Sequence, residues 1–203
     1  MINDLDETLV SLLKKELPKS LANVQVSFCA PDNQFPPTSV ALPAINIFLY
    51  DIRENLELRS NEVFIERGND ARATSKQAPI RVDVSYLITA WPASVINPSE
   101  DEHRILGDVM RVLLRHRTIP SDVLQGSLVE QVMPLPVSCL QSGRLQSLGE
   151  FWQALGGKPK VALNYTVTLA VDIAEPKSVD LVTEKVIKMR MESNPSELQS
   201  TPQ

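Results

Sequence analysis

Apolar residues recur at helical spacing near the N-terminus, at Leu5, Leu9, Leu12 and Leu13, and predict a helix over 3–16 with one apolar face. Asn3 or Asp4 stands where a side-chain cap is needed, and Pro18 stops the run. Alternation then takes over. NVQVSFC at 23–29 reads as a strand, and AINIFLYDIREN at 44–55 reads as a stronger one, with Ile45, Ile47, Leu49 and Asp51 on one face. Its middle, IFLY, is apolar on both faces and belongs inside a sheet. The clearest strand is IRVDVSYLITAW at 80–91. There Ile80, Val82, Val84, Tyr86 and Ile88 point one way, and Arg81, Asp83 and Ser85 the other.

A second helix is predicted over 99–116, opened by Asn97 or Ser99 and by the acidic Glu100, Asp101 and Glu102. Ile105, Leu106, Val109, Val112 and Leu113 form its apolar stripe, and Arg111, Arg115, His116 and Arg117 suit its negative end. A helical turn at 121–125, a strand at 127–133, a loop at 134–146 and a short helix at 149–155 follow. Gly156-Gly157 stops that helix. The long, β-branched VALNYTVTLAVDI at 161–173 is the last core strand. Between these elements, 56–79 is polar, with a strand-like arm at 63–67 and a turn at Gly68-Asn69-Asp70. Beyond 175 the chain turns polar: 179–191 fits strand or helix, and 193–203 is disordered if left free. The fold class expected is α+β, a mixed and mainly antiparallel sheet packed with helices, with a domain over 1–175 and a tail or arm over 176–203.

Composition narrows what such a domain does. The 203 residues carry a net charge of -5, the wrong sign for a nucleic-acid-binding surface. No apolar run approaches the roughly 20 residues that span a bilayer, and the acidic start lacks the pattern of a secretory signal, so residence in the cytosol is expected. Cys29 and Cys139 are expected as buried free thiols. Fifteen prolines against seven glycines, four of them within 31–43, shape loops that hold still.

Catalytic signals are sparse. His103 follows Asp101 and Glu102 and reads either as a base oriented by a carboxylate or as a solvent-facing residue; no nucleophile or motif accompanies it. His116 reads as a helix-end cation rather than a ligand. Gly156-Gly157-Lys158 follows a helix instead of opening one, unlike a phosphate loop. No metal, nucleotide or acyl-transfer motif is present, and no cofactor is expected. An enzymatic reading has only scattered polar residues to draw on, Asp83, His103 and Arg111. Two clusters carry more weight. Asp51, Arg53, Glu54 and Asn55, with Arg59 downstream, read either as an ion-pair network meeting a neighbouring subunit or as a solvated strand end. Phe151-Trp152 beside Leu155 reads as core or as interface.

Four runs resemble one known family: NIFLYDIREN at 46–55, VDVSYLITAW at 82–91, EHRILGDVMRVLLRHRTIPSDVLQG at 102–126 and FWQALGGKPKVALNYTVTLAVD at 151–172. They are similar in order and spacing, over roughly 1–175, to the tail terminator or cap family of extracellular contractile injection systems. These are phage-tail-like particles of the antifeeding-prophage and Photorhabdus virulence cassette type. The resemblance rests on fold-defining segments, not on catalytic residues. It implies a non-enzymatic subunit of a six-fold ring that closes the inner tube and the last sheath layer. Its partners would be copies of itself and the sheath and inner-tube proteins, with no nucleic acid and no membrane. Assembly would take place in the bacterial cytoplasm, within a particle that is later released; an adaptor for other particle components is the alternative. Longer members carry an added C-terminal region. Because neighbours meet at strand ends and polar loops, the interface candidates are Asp51, Arg53, Glu54, Asn55, Arg59, Arg67, Arg115 and Arg117. In the tail, where an exchanged strand would pair, they are Val182, Val186, Ile187 and Met189.

Overall fold

The computed structural model describes residues 1–67, 72–131, 133–141, 148–173, 175, 177–180 and 189, and for 66, 67, 72, 148, 179 and 180 the backbone alone. Its elements in chain order are α1 (Ile2–Glu16), β1 (Gln25–Ser27), β2 (Ala44–Glu54), β3 (Val63–Arg67), β4 (Arg72–Gln77), β5 (Ile80–Trp91), α2 (Pro98–Arg115), β6 (Val137–Cys139), α3 (Leu148–Ala154), β7 (Leu163–Val171) and β8 (Lys177–Asp180). Two compact units result, one from 1–60 with 79–173, the other from 61–78 with 174–203. The arm at 61–78 therefore groups with residues beyond the expected boundary at 175.

The larger unit holds a five-stranded sheet in the order β1-β2-β5-β7-β6. Only β1 and β2 run parallel; every other pair is antiparallel. The expected mixed, mainly antiparallel α+β architecture is what the chain adopts. One sheet face presents Ile45, Ile47, Val84, Tyr86, Ile88, Tyr165, Val167 and Leu169 to the apolar stripes of α1 and α2, and this is the main core. Leu5, Leu9, Leu12 and Leu13 of α1 are all at most 2% exposed. Burial at about 1.5–3 kcal/mol each makes that helix worth about 6–12 kcal/mol before entropy is counted.

The opposite face is covered too. Phe151 of α3 meets Phe48 at 6.3 Å and Tyr50 at 6.1 Å, and it stands edge-on to Trp152, which is 2% exposed. The glycine stop after α3 has the expected form. Gly156, at φ +67, donates to Gln153 O, and Gly157 donates to Trp152 O. A side chain at Gly157 would fall 2.9 Å from the Pro31 carbonyl, so the proline-rich loop lies directly against this turn.

The polar row of β5 lies on the face opposite its apolar row and is buried there: Asp83 and Ser85 are 3% and 0% exposed, because Thr166 and Thr168 of β7 and Asn55 after β2 arrive beside them. Several local expectations are corrected. A bulge between Leu49 and Asp51 flips the strand parity, so Asp51 faces Ser85's side and not Ile47's. The predicted strand over 127–133 is a 3-10 turn (Gly126–Leu128) that buries Leu128, and β6 lies within the stretch expected as loop. The 23–29 strand shortens to three residues. Neither expected side chain caps α1, whose N-cap is Met1, and Asn97 precedes α2 without a side-chain cap bond. The thiols are free, but Cys29 is exposed and Cys139 half-buried; burial raises the pKa of the latter.

The smaller unit is a three-stranded antiparallel sheet, β3-β4-β8. Its register pairs Val63 with Gln77 and Ala73 with Val179. Val63, Phe64 and Ile65 of β3 are 51%, 46% and 60% exposed.

Candidate assembly interface

At the far end of β2 the charged cluster folds back on its own chain. Arg53 Nε donates to Asp51 Oδ2 at 2.6 Å, which holds the guanidinium protonated, and Arg59 lies 3.5 Å from Glu54. Both pairs are solvent-exposed and worth little in stability. Asn55 does more. Its Nδ2 donates to both oxygens of the buried Asp83 (3.1 and 3.2 Å), and its Oδ1 accepts from Leu58 N at 3.1 Å. Thr168 Oγ1 donates to Asp83 at 2.7 Å from the other flank. Asp83 is therefore a structural anchor, and through Asn55 it fixes the 3-10 turn Leu56–Leu58. That turn displays Leu56 and Leu58 at 68% and 47% exposure, with Ile52 at 48% on the strand before it.

At the end of α2, Arg115 Nη1 and His116 Nε2 donate to Glu16 at 2.5 and 2.7 Å. Burial pushes the Glu16 pKa up, but these two donors outweigh it and leave it lowered. His116, the C-cap residue of α2, thus also ties α2 to α1. Arg117 is exposed, and its carbonyl accepts from Val137 N. Arg67 ends β3 opposite Ala73, with its side chain outside the described residues. Met189 is 89% exposed, whereas Val182, Val186 and Ile187 lie outside the described residues. Residues 177–180, the start of the tail, are already paired with β4 of the same chain.

At the near end of β2 a cleft of about 630 Å³ opens between the loop before β2, the start of α2 and residues 156–161. Phe35 packs on Trp91 with ring centres 4.4 Å apart. Lys160 Nζ sits 4.4 Å above the Trp91 ring and donates to Glu102 at 2.6 Å. His103 and Lys158 line the rim. Sequence reasoning missed this cleft, since its walls lie far apart along the chain; Lys160 and Trp91 carried no signal linking them.

The scattered residues of an enzymatic reading are not brought together. Asp83 is buried in the sheet, while Arg111 is paired with Asp108 at 2.8 Å, eight residues and thus about 12 Å along α2 from His103. Among the described residues no group of three His, Cys, Asp or Glu side chains is placed to hold a metal ion, and no helix is long and apolar enough to cross a membrane.

Comparison with known proteins gives the arrangement a context. No curated protein sequence matches. The fold is similar to the sheath/tube terminator of the PVC extracellular contractile injection system in its extended state, seen by cryo-EM, with 26% identity and a TM-score of 0.63 over 97% of this chain. It is also similar to the cap of the anti-feeding prophage, a tube terminating cap, with 24% identity and a TM-score of 0.57 over 94% of this chain. The chain spans 65% and 62% of the lengths of these two. The model of the Pvc16 N-terminal domain matches residues 4–184, so the chain belongs to the Pvc16 N-terminal domain family.

Proposed function

We propose that the protein is a structural cap subunit that forms a hexameric ring and ends the inner tube and sheath of a phage-tail-like contractile particle. The observation that carries this reading is the likeness to a sheath/tube terminator over 97% of the chain. The physical make-up is consistent with it. The described surface offers braced turns and exposed apolar side chains, and proline-held loops reduce the ordering cost of association. A ring needs two different complementary patches on each subunit. The copies, the sheath and the inner-tube protein are the partners, and assembly belongs in the bacterial cytoplasm before release of the particle. Asp51, Arg53, Glu54, Arg59, Arg115 and Arg117 are proposed as rim charges, which steer association more than they strengthen it.

The test is light scattering after size exclusion, with and without residues 176–203, together with negative-stain images of particles made without this protein. A ring mass and tails of uncontrolled length are expected. A chain that stays monomeric even when mixed with cap-less particles, and whose loss leaves tail length unchanged, would overturn the reading. Finding it at the baseplate or along the shaft would point to an adaptor instead.

A further inference from the structure

The five-stranded sheet ends at β1, which is paired with β2 on one side alone. Gln25 N–H donates to Pro43 O at 3.0 Å, and this bond sets the alternation of the backbone. Gln25 and Ser27 turn their N–H and C=O towards β2, so Val26 between them turns both of its own away from the sheet. Among the described residues nothing bonds to the Val26 backbone, whereas Val24 N–H is taken by Leu21 O at 3.0 Å. An edge of this kind accepts a further strand.

The side chains of Val24, Val26 and Phe28 share one face of this edge and are half-buried against the core. Between them and α1 lie two hollows. One, of about 190 Å³, is walled by Leu13 and Leu17 of α1, by Leu21, and by Val24 and Val26. The other, of about 590 Å³, is walled by Val10 and Phe28. Lys14 lines both, so the hollows follow one another along the strand, over about 13 Å from Val24 to Phe28.

The charges are divided between the two ends. Lys14, Lys15 and Lys19 line the smaller hollow, and no carboxylate does. Asp122 engages Lys15, but Lys14 and Lys19 are exposed and meet no carboxylate among the described residues. The larger hollow adds Asp6 and Glu7 to Lys14. Both carboxylates accept from neutral donors, Asp6 from the Tyr86 hydroxyl at 2.8 Å and Glu7 from Asn3 Nδ2 at 3.1 Å. A groove with a free backbone edge, an apolar hollow and opposite charges at its ends is built for an extended chain. The added strand would send alternate side chains over the face that holds the hollows. Each of β1 to β8 is already held in a sheet of its own chain, so a second copy has no unpaired strand to offer among its described residues.

We propose that the groove between α1 and β1 binds an extended segment of a different polypeptide, which pairs with the Val26 backbone and sinks one apolar side chain between Leu17 and Val26. Its carboxylates lie at Lys14 and Lys19, and its cationic end at Asp6 and Glu7. The proposal goes beyond the ring reading and does not depend on it.

The probe is a labelled, end-blocked octapeptide with alternating valine and threonine at its centre, two glutamates at one end and two lysines at the other. It can add parallel or antiparallel, so the order of its ends does not matter. Binding to the full chain is read by fluorescence polarisation, and the Val26 amide by hydrogen exchange. Saturable binding is expected, with exchange at Val26 slowed. Lys14→Glu combined with Lys19→Glu should weaken binding about tenfold or more, as should replacing the peptide's charges by serine. Val26→Pro removes the outward N–H without breaking a bond within the chain and should weaken binding similarly. Where that variant fails to fold, exchange at Val26 in the wild type decides the same point. No saturable binding at millimolar peptide, binding that ignores the lysine substitutions, or an unchanged Val26 amide would each overturn the proposal. So would a peptide that disperses self-associated wild type, because the groove would then hold a second copy.

Discussion

Replacing Asn55 by alanine is the change from which most can be learned about the sheet end. The amide does two jobs at once, accepting from Leu58 N and donating to both oxygens of Asp83. Losing the cap costs about 1 kcal/mol. Withdrawing a donor from a carboxylate that is 3% exposed costs about 1.5–3 kcal/mol. Thr168 still serves Asp83 at 2.7 Å, which keeps the total nearer 2–3 kcal/mol than the sum of the upper limits. Asn55→Asp separates the two jobs. It preserves the cap acceptor but sets a second carboxylate against Asp83, so it should be at least as damaging at neutral pH and should recover as one of the pair is protonated. Urea unfolding followed by tryptophan fluorescence reads the right unit, because Trp91 and Trp152 both lie in the five-stranded one. A cost below about 0.5 kcal/mol for Asn55→Ala, or an Asn55→Asp variant as stable as wild type at pH 7, would refute the anchoring argument.

Three further changes probe other parts of the fold. Gly126→Ala should cost about 1–3 kcal/mol, since Gly126 sits at φ +54 and a Cβ there falls 2.5 Å from Asp4 Cγ; thermal melts should show a smaller cost in an Asp4→Ala background, where only the backbone strain remains. Asp4 itself is held at about 2, first by the Ser127 hydroxyl and next by the N-terminal amine, against an ordinary value of 3.8. Its folded pKa is the lower one, so its contribution is full above pH 3.8 and lost as the pH falls towards 2; the stability gap between wild type and Asp4→Asn should close over that window in acid titrations of unfolding. Trp152→Ala should cost about 3–5 kcal/mol in denaturant unfolding, as expected for an emptied site under α3; an effect under 1 kcal/mol would mean that α3 does not seal that sheet face.

Much of the framework was legible in the order of residues. The leucines of α1, the stripe of α2 and the even-numbered apolar row of β5 each follow from a repeat that only one regular structure satisfies, and Gly156-Gly157 ends α3 because the backbone there needs a left-handed residue. The resemblance carried by four segments pointed to the family that the domain match assigns. Local pattern failed where the deciding partner was distant. Nothing local says that Asp83 and Ser85 are buried; Thr166, 81 residues from Ser85, arrives at 2.9 Å, and Thr168 and Asn55 cover Asp83. The 127–133 stretch reads as a strand, but Leu128 is claimed by the core through a tight turn, and the edge position beside β7 goes to β6. The bulge at Tyr50 reverses a parity that no single strand can announce. The cleft at Trp91 and the uncovered turn at Leu56–Leu58 were invisible for the same reason. A sequence specifies periodicity, and periodicity specifies elements and their apolar faces; which side chains end up exposed together depends on pairings across tens of residues, settled only when the whole sheet is built.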